Sequence, residues 1–444
     1  MKVLVISHTV FSDTESMGKT LSAYFRSFAP DDLAQLYIHS QIPASRICGN
    51  YYQITDLAAI KSIFGFRCGR IYGRPVEDCG KSASAPQKPG SVVSYIYQKG
   101  RKRTALIYLM RNLWWRLSHW NNSRLREWID KFSPDCVFFA SGDYAFMYDI
   151  ACKIAETRNI PLYISCVDDY YIHNKNTSSV LGRMYYGYFM KRVNAAMRRS
   201  EKLFCICDKM SQDYSQLFGK ECITVHTPAS FAKAPDMGKK NWICYLGSLG
   251  YKRDRQLIKI GRALKHLNLG CDHIDVYTPE SRQEILCNLT GENGIRVHGP
   301  VGAEEVVKII SQSFAVIHAE SFDSVVRRSI CYSVSTKIAD SLASGTCIFA
   351  FGPPEIASMQ YLAQNEAAVC CTDENALEES LKTLLTDEKK RAQVISNALS
   401  LARNNHMPDI TPKTISSVLN RDFGNSRERE SFPGKKAGGP AKRA

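Results

Sequence analysis

Short apolar runs alternate with amphipathic stretches along most of the chain. In the first half the runs are residues 2–7, 33–38, 135–141, 161–167, 203–207 and 222–226. They lack the polar alternation of a half-exposed strand and are too short for core helices. That is the pattern of strands buried on both faces. Helical spacing separates them: from Met17-Gly18-Lys19-Thr20 to about Phe28, over 145–157, and from Asp208 to near Gly219. The second half repeats the scheme. Strands are expected at 242–246, 273–277, 295–298, 315–319 and 347–351, with helices over 254–267, 280–289, 304–311, 335–344, a pair within 375–403, and a last element at 412–420. Strand–helix alternation of this kind predicts an α/β protein built on parallel sheets.

A chain of 444 residues exceeds one ordinary core. The stretch from Thr227-Pro228 through Lys239-Lys240 reads as a linker, so the expected units are 1–230 and 241–405. A closing helix over 406–423 can return to the first unit, and a basic tail, 424–444, is disordered by composition. Residues 65–100, rich in Gly, Pro, Ser and Lys, read as a long surface loop. No sequence repeat links the halves.

Charge narrows the partners. The formal net charge is +15 and the pI about 9.1, which favours an anionic partner. No apolar run approaches the length of a transmembrane helix, and the apolar start is shorter than a signal peptide. The sixteen cysteines are scattered, without a C-x-x-C pair, which points to free thiols in a reducing cytoplasm rather than structural zinc.

Candidate chemistry gathers where strands end. Ser335 and Thr336 are N-cap residues opening a helix whose apolar face is Ile338, Ala339, Leu342 and Ala343. A helix start after a buried strand suits a diphosphate; Lys337 adds a full charge there, and Asp340 can accept from ribose hydroxyls. Gly247-Ser248-Leu249-Gly250 and Arg253 make a second glycine-rich, cationic strand-to-helix turn. Gly18 either admits a ligand to the backbone or simply makes a tight turn. Asp168 and Asp169, at the end of a strand, are either bases or acceptor contacts, or a cap of the next helix. Arg327 and Arg328 belong to a loop that either closes over a ligand or is solvated. Residues 93–130 combine Lys99, Arg101, Lys102 and Arg103 with Trp114, Trp115 and Trp120. This suits either an amphipathic helix on anionic lipid or a core helix with a solvated basic end. No nucleic-acid motif accompanies it, and no metal-ligand set is visible.

The ordered set Tyr245-Leu246-Gly247-Ser248-Leu249-Gly250 with Arg253, His298-Gly299-Pro300-Val301, Ala319-Glu320-Ser321 and Ser335 to Gly345 resembles the nucleotide-sugar domain of GT-B glycosyltransferases. The likeness is to the broad group 1, family 4-like kind of bacterial polysaccharide synthesis, and spans roughly 242–403. It implies two Rossmann-like domains facing a cleft, with the acceptor on the first and a UDP- or GDP-linked sugar on the second. It implies metal-independent transfer without a cofactor, the nucleotide sugar being a co-substrate. Gly18, Gly247, Ser248, Arg253, Ser335, Thr336, Lys337 and Asp340 would bind substrate, with Arg253 and Lys337 neutralising the diphosphate; Asp168, Asp169 and Glu320 are the catalytic candidates, and His8 is a further possible base. The implied acceptor is lipid-linked or a polysaccharide, at the cytoplasmic face of the plasma membrane with peripheral contact to anionic lipid. One departure stands out. Relatives carry two glutamates eight positions apart; here the slots hold Tyr332 and Asp340. A sugar-nucleotide epimerase or hydrolase, and a catalytically silent scaffold, are the rival readings.

Overall fold

The computed structural model describes residues 1–12, 16–75, 104–173, 179–230 and 242–431. Two parallel sheets organise it. The first contains β1 (Val3–Ser7), β2 (Leu33–Tyr37), β3 (Asn50–Gln53), β4 (Arg70–Tyr72), β5 (Cys136–Ala140), β6 (Leu162–Cys166), β7 (Lys202–Cys205) and β8 (Glu221–Thr224) in the order β4-β3-β2-β1-β5-β6-β7-β8. Only β4 runs antiparallel, against β3. The second contains β9 (Ile243–Leu246), β10 (Ile274–Tyr277), β11 (Ile295–His298), β12 (Ala315–Ala319), β13 (Cys347–Phe351) and β14 (Val369–Cys371) in the order β11-β10-β9-β12-β13-β14, all parallel.

Both sheets are covered on both faces, as their apolar runs require. Along β1, Leu4 and Ile6 join a core with the helices Ala105–Leu117, Ser123–Phe132, Ala145–Arg158 and Val180–Arg199. Val3 and Val5 face the other way, toward Leu21, Tyr24 and Phe25. In the second sheet Phe349 and Phe351 pack with the helices Arg253–Leu267 and Leu377–Thr386, while Ile348 and Ala350 pack with Thr336–Ala343 and Glu388–Asn405. The last helix, Ile410–Ser431, crosses back: Ile415, Val418 and Leu419 complete the first sheet's outer core.

The sequence pattern misplaces several elements. Within 65–100, β4 is ordered, and residues 76–100 fall outside the described residues. β3 and the helix Asp56–Ile63 were hidden by polar and aromatic residues. The helix expected over 280–289 is one turn, Gln283–Leu286. Arg327 and Arg328 lie in a short helix, Ser324–Ser329, capped by Asp323, and Arg327 pairs with Glu355 at 2.6 Å. The closing helix outruns the expected start of the tail and reaches Ser431; residues 432–444 fall outside the described residues. Lys99, Arg101, Lys102 and Arg103 do as well. Every cysteine among the described residues is a free thiol.

Candidate active site

In a parallel sheet, ligands collect at the carboxyl ends of strands where the strand order reverses. The second sheet reverses between β9 and β12, and a cavity of about 170 Å³ opens there. Its lining includes Gly247 and Ser248 after β9, Arg253 at the next helix start, Glu320 after β12, and Ser335 and Lys337 at the start of Thr336–Ala343. Loops far apart in sequence meet here because each follows a strand of one parallel sheet. His318, which the sequence reading passed over, also lines it. Burial lowers the His318 pKa and keeps the ring neutral, with Nε2 2.9 Å from Ser358 Oγ.

The cations here are unequal. Arg253 is locked to Glu320: Nη2 donates to Oε1 at 2.9 Å and to Oε2 at 3.0 Å, and Nε lies 3.2 Å from Oε2. Burial opposes the guanidinium charge, but Glu320 outweighs it and raises the Arg253 pKa. Glu320 is fully buried and committed to this pair, so it is a counter-ion rather than a free base. Lys337 makes no ion pair among the described residues. Burial lowers its pKa, Asp340 opposes that shift, and Arg253 and Lys19 add to it. Lys19 belongs to the first domain, on the helix Ser16–Tyr24, and is exposed; its charge registers on both Lys337 and Asp340. A half-buried ammonium, countered in part by Asp340 and repelled by two further cations, favours a multiply charged anion.

Other expected residues are differently engaged. Ser335 caps its helix by accepting the Lys337 N–H at 3.4 Å. Thr336 and Asp340 do not line the cavity. Asp340 accepts the Ser230 N–H at 2.6 Å and the Ser230 hydroxyl at 3.3 Å, tying the helix to the incoming linker. Burial raises its pKa against these bonds. A Cβ on Gly18 would sit 2.5 Å from the Val10 carbonyl oxygen, so this glycine lets the helix pack on the preceding loop. Asp169 is 3% exposed and accepts N–H groups of Tyr171, Ile172 and His173 and the Tyr214 hydroxyl at 2.7–3.0 Å. It caps the loop, with three of the four bonds on Oδ1 and only the His173 N–H on Oδ2. Asp168 is exposed and accepts the Asp169 N–H at 2.9 Å.

Tyr332, in the first acidic slot, leaves its own domain altogether. Its hydroxyl donates to Asp213 at 2.6 Å, its ring lies 5.3 Å from His173 and 6.2 Å from Tyr214, and it joins the first domain's core. Burial first, and then Asp213, push its pKa up, so it stays a neutral phenol.

A second cluster lies at the other reversal, between β1 and β5. His8 follows β1 and Tyr144 follows β5; their rings stack at 5.1 Å. The Arg111 guanidinium lies 3.8 Å from the Tyr144 ring centroid and 3.3 Å from His8 Nε2. Asp56 fixes it, accepting from Arg111 Nε at 2.9 Å and Trp115 Nε1 at 2.8 Å. Asp143 accepts the Tyr108 hydroxyl at 2.5 Å. The sequence singles out His8 and places Trp115 in the amphipathic 93–130 segment, but nothing there joins them to Asp56, Asp143 and Tyr144, which come from separate loops and another helix start. Among the described residues no group of three or more His, Cys, Asp or Glu is placed to hold a metal.

A family model described as "Glycosyl transferase-like" matches residues 260–411. No curated protein sequence matches the chain. Among solved structures, the chain is similar to an α,α-trehalose 6-phosphate synthase from Burkholderia multivorans, at 10% identity and a TM-score of 0.59, over 98% of this chain and 99% of that one. It is similar to HepE from Anabaena in complex with UDP, at 12% identity and TM-score 0.56, over 95% and 100%. It is also similar to WaaG, a glycosyltransferase involved in lipopolysaccharide biosynthesis, at 11% identity and TM-score 0.54, over 93% and 98%. The fold is therefore GT-B, two Rossmann-like domains facing a cleft, and the resemblance read from the sequence holds.

Proposed function

We propose that this chain, a glycosyltransferase of the GT-B type, takes its sugar from a nucleoside diphosphate held between β9 and β12 and delivers it to an acceptor at the β1/β5 edge. The observation that carries this is Lys337: a cation half-buried at a helix start, without an ion pair among the described residues, in one cavity with Arg253 and within the electrostatic reach of Lys19. As the glycosidic bond to the diphosphate breaks, negative charge grows on the leaving oxygen. Cations already in place stabilise it without reorganisation. The UDP bound to HepE favours a uridine donor. An acceptor hydroxyl at the β1/β5 edge would lie beside His8, the base candidate we favour for its place there, stacked on Tyr144 after β5. The acceptor we infer is a lipid-linked or glycan hydroxyl, presented at the cytoplasmic face of a membrane; the role of WaaG in lipopolysaccharide synthesis is in keeping with that.

The test is nucleotide binding by thermal shift and calorimetry, followed by a transfer assay with the preferred donor. A nucleotide at ~100 times its dissociation constant adds about 2.7 kcal/mol of stability. UDP or GDP should produce that shift, and Lys337→Ala should lose at least about tenfold in affinity, since a hydrogen bond to a charged group contributes about 1.5–3 kcal/mol. No shift with any nucleotide would sink the donor site. Binding without transfer or hydrolysis would leave a scaffold.

A further inference from the structure

Two adjoining helices of the first domain, Ala105–Leu117 and Val180–Arg199, have a packed face and an open one. On the packed face Tyr108 stacks on Tyr185 at 4.9 Å and Trp115 on Phe146 at 4.5 Å. The open face of the first helix is Leu106, Met110, Leu113 and Leu117, 41–55% exposed, at spacings of four, three and four that put them on one side. The neighbouring helix begins with Val180, Leu181 and Met184, 43–63% exposed. Single exposed aliphatics are ordinary; a group of them on neighbouring helices marks an interaction surface.

Charge selects the partner. Neither helix contains an aspartate or glutamate, while together they carry Arg111, Arg116, Arg183, Lys191, Arg192, Arg198 and Arg199. Arg116, Arg183, Lys191 and Arg198 are exposed. Aliphatic side chains rimmed by cations match the boundary of a bilayer with anionic headgroups. Among the described residues no helix is long and apolar enough to cross a membrane, so the contact is with a surface. We propose that these two helices form the docking face by which the protein sits on anionic lipid. The inner side of the first helix supplies Tyr108 and Arg111 to the β1/β5 cluster, so docking holds that cluster next to the headgroups. The proposal rests on the helices alone and stands or falls apart from the donor reading.

Vesicle flotation of the full chain tests it, with phosphatidylcholine vesicles against vesicles containing phosphatidylglycerol. The chain should float with the anionic vesicles and much less with neutral ones. Leu113→Glu and Met184→Glu, both at exposed positions, should each cut binding by about tenfold or more, because an apolar side chain is lost from the interface and a repelled charge gained. Nucleotide binding and circular dichroism should be unchanged. Leu269→Glu, exposed on the second domain, should float like wild type. Wild type that ignores anionic vesicles would overturn the proposal. So would undiminished binding by the Leu113→Glu and Met184→Glu variants, binding lost on removing residues 432–444 instead, or a patch whose variants only dissolve a dimer.

Discussion

Arg253 and Glu320 show how a residue's role depends on a partner 67 positions away. Sequence gives a cation in a glycine-rich turn, and the natural inference is a diphosphate ligand. The fold places beside it a fully buried carboxylate, so much of that charge is spent before any donor arrives. Glu320→Gln keeps the shape and an acceptor oxygen but frees the guanidinium. Nucleotide affinity should rise by about tenfold, roughly 1.4 kcal/mol. Glu320→Ala removes one partner of a buried pair and should cost about 3–5 kcal/mol of stability. Calorimetry with the nucleotide and urea unfolding separate the two effects; unchanged affinity in the glutamine variant would mean that Arg253 does not reach the donor. The same limit explains Asp169, Asp340 and Tyr332. Their residue types were legible, but the backbone amides, linker serine and partner-domain aspartate that occupy them come from contacts that periodicity does not encode.

At the scale of elements, the strands and most helices were legible because burial on both faces leaves continuous apolar runs. What escaped was short or polar: β3, β4 and Asp56–Ile63. A closing helix that returns to the first unit was expected, but the contacts that fasten the crossover were not. The helix Glu388–Asn405 ends at His406, whose Nδ1 donates to the Thr227 carbonyl at 2.7 Å, so Nε2 accepts the Tyr361 hydroxyl at 2.9 Å. Ala229 returns an N–H to the His406 carbonyl at 2.8 Å. Burial chiefly lowers the His406 pKa to about 4, and burial also lowers that of His226, which stacks on Tyr361 at 5.2 Å. Above the unfolded value of about 6.5, His406 is neutral in both states and the crossover keeps its full stability. As pH falls, the unfolded chain takes up the proton first. Stability should therefore decline from about pH 6.5 down to about 4, by ~2 kcal/mol between pH 7 and pH 5. Urea midpoints at the two pH values measure this. His406→Asn should be weaker at pH 7 yet lose most of that slope; an equal slope in the variant would assign it to other groups.

For the whole molecule, two parallel sheets and a central linker could be read from the order of elements, and the family likeness added the cleft. The return of the closing helix to the first unit was expected as well; where it fastens depends on packing. After finishing the second domain, the helix Ile410–Ser431 lays Ile415, Val418 and Leu419 on the first sheet. There Asp422 accepts from Lys202 Nζ at 2.8 Å and from the Tyr163 hydroxyl at 3.1 Å, and all three side chains are largely withdrawn from solvent. The first domain's outer core is thus completed by residues that follow the second domain in sequence. Leu419→Ala should destabilise the first domain by about 2–5 kcal/mol through the cavity it leaves. Asp422→Ala leaves Lys202, among the described residues, with the more exposed Glu221, 3.2 Å away, and should also destabilise it. Tryptophan fluorescence reports mainly on this domain, because Trp114, Trp115, Trp120 and Trp128 lie in it and only Trp242 in the other. Both variants should move that transition to lower denaturant while nucleotide affinity at β9/β12 stays the same. A fluorescence transition unmoved by Leu419→Ala would mean that the helix merely rests on the first domain. A lowered transition with lost nucleotide binding would mean that the two domains unfold as one unit, each depending on the strap that joins them.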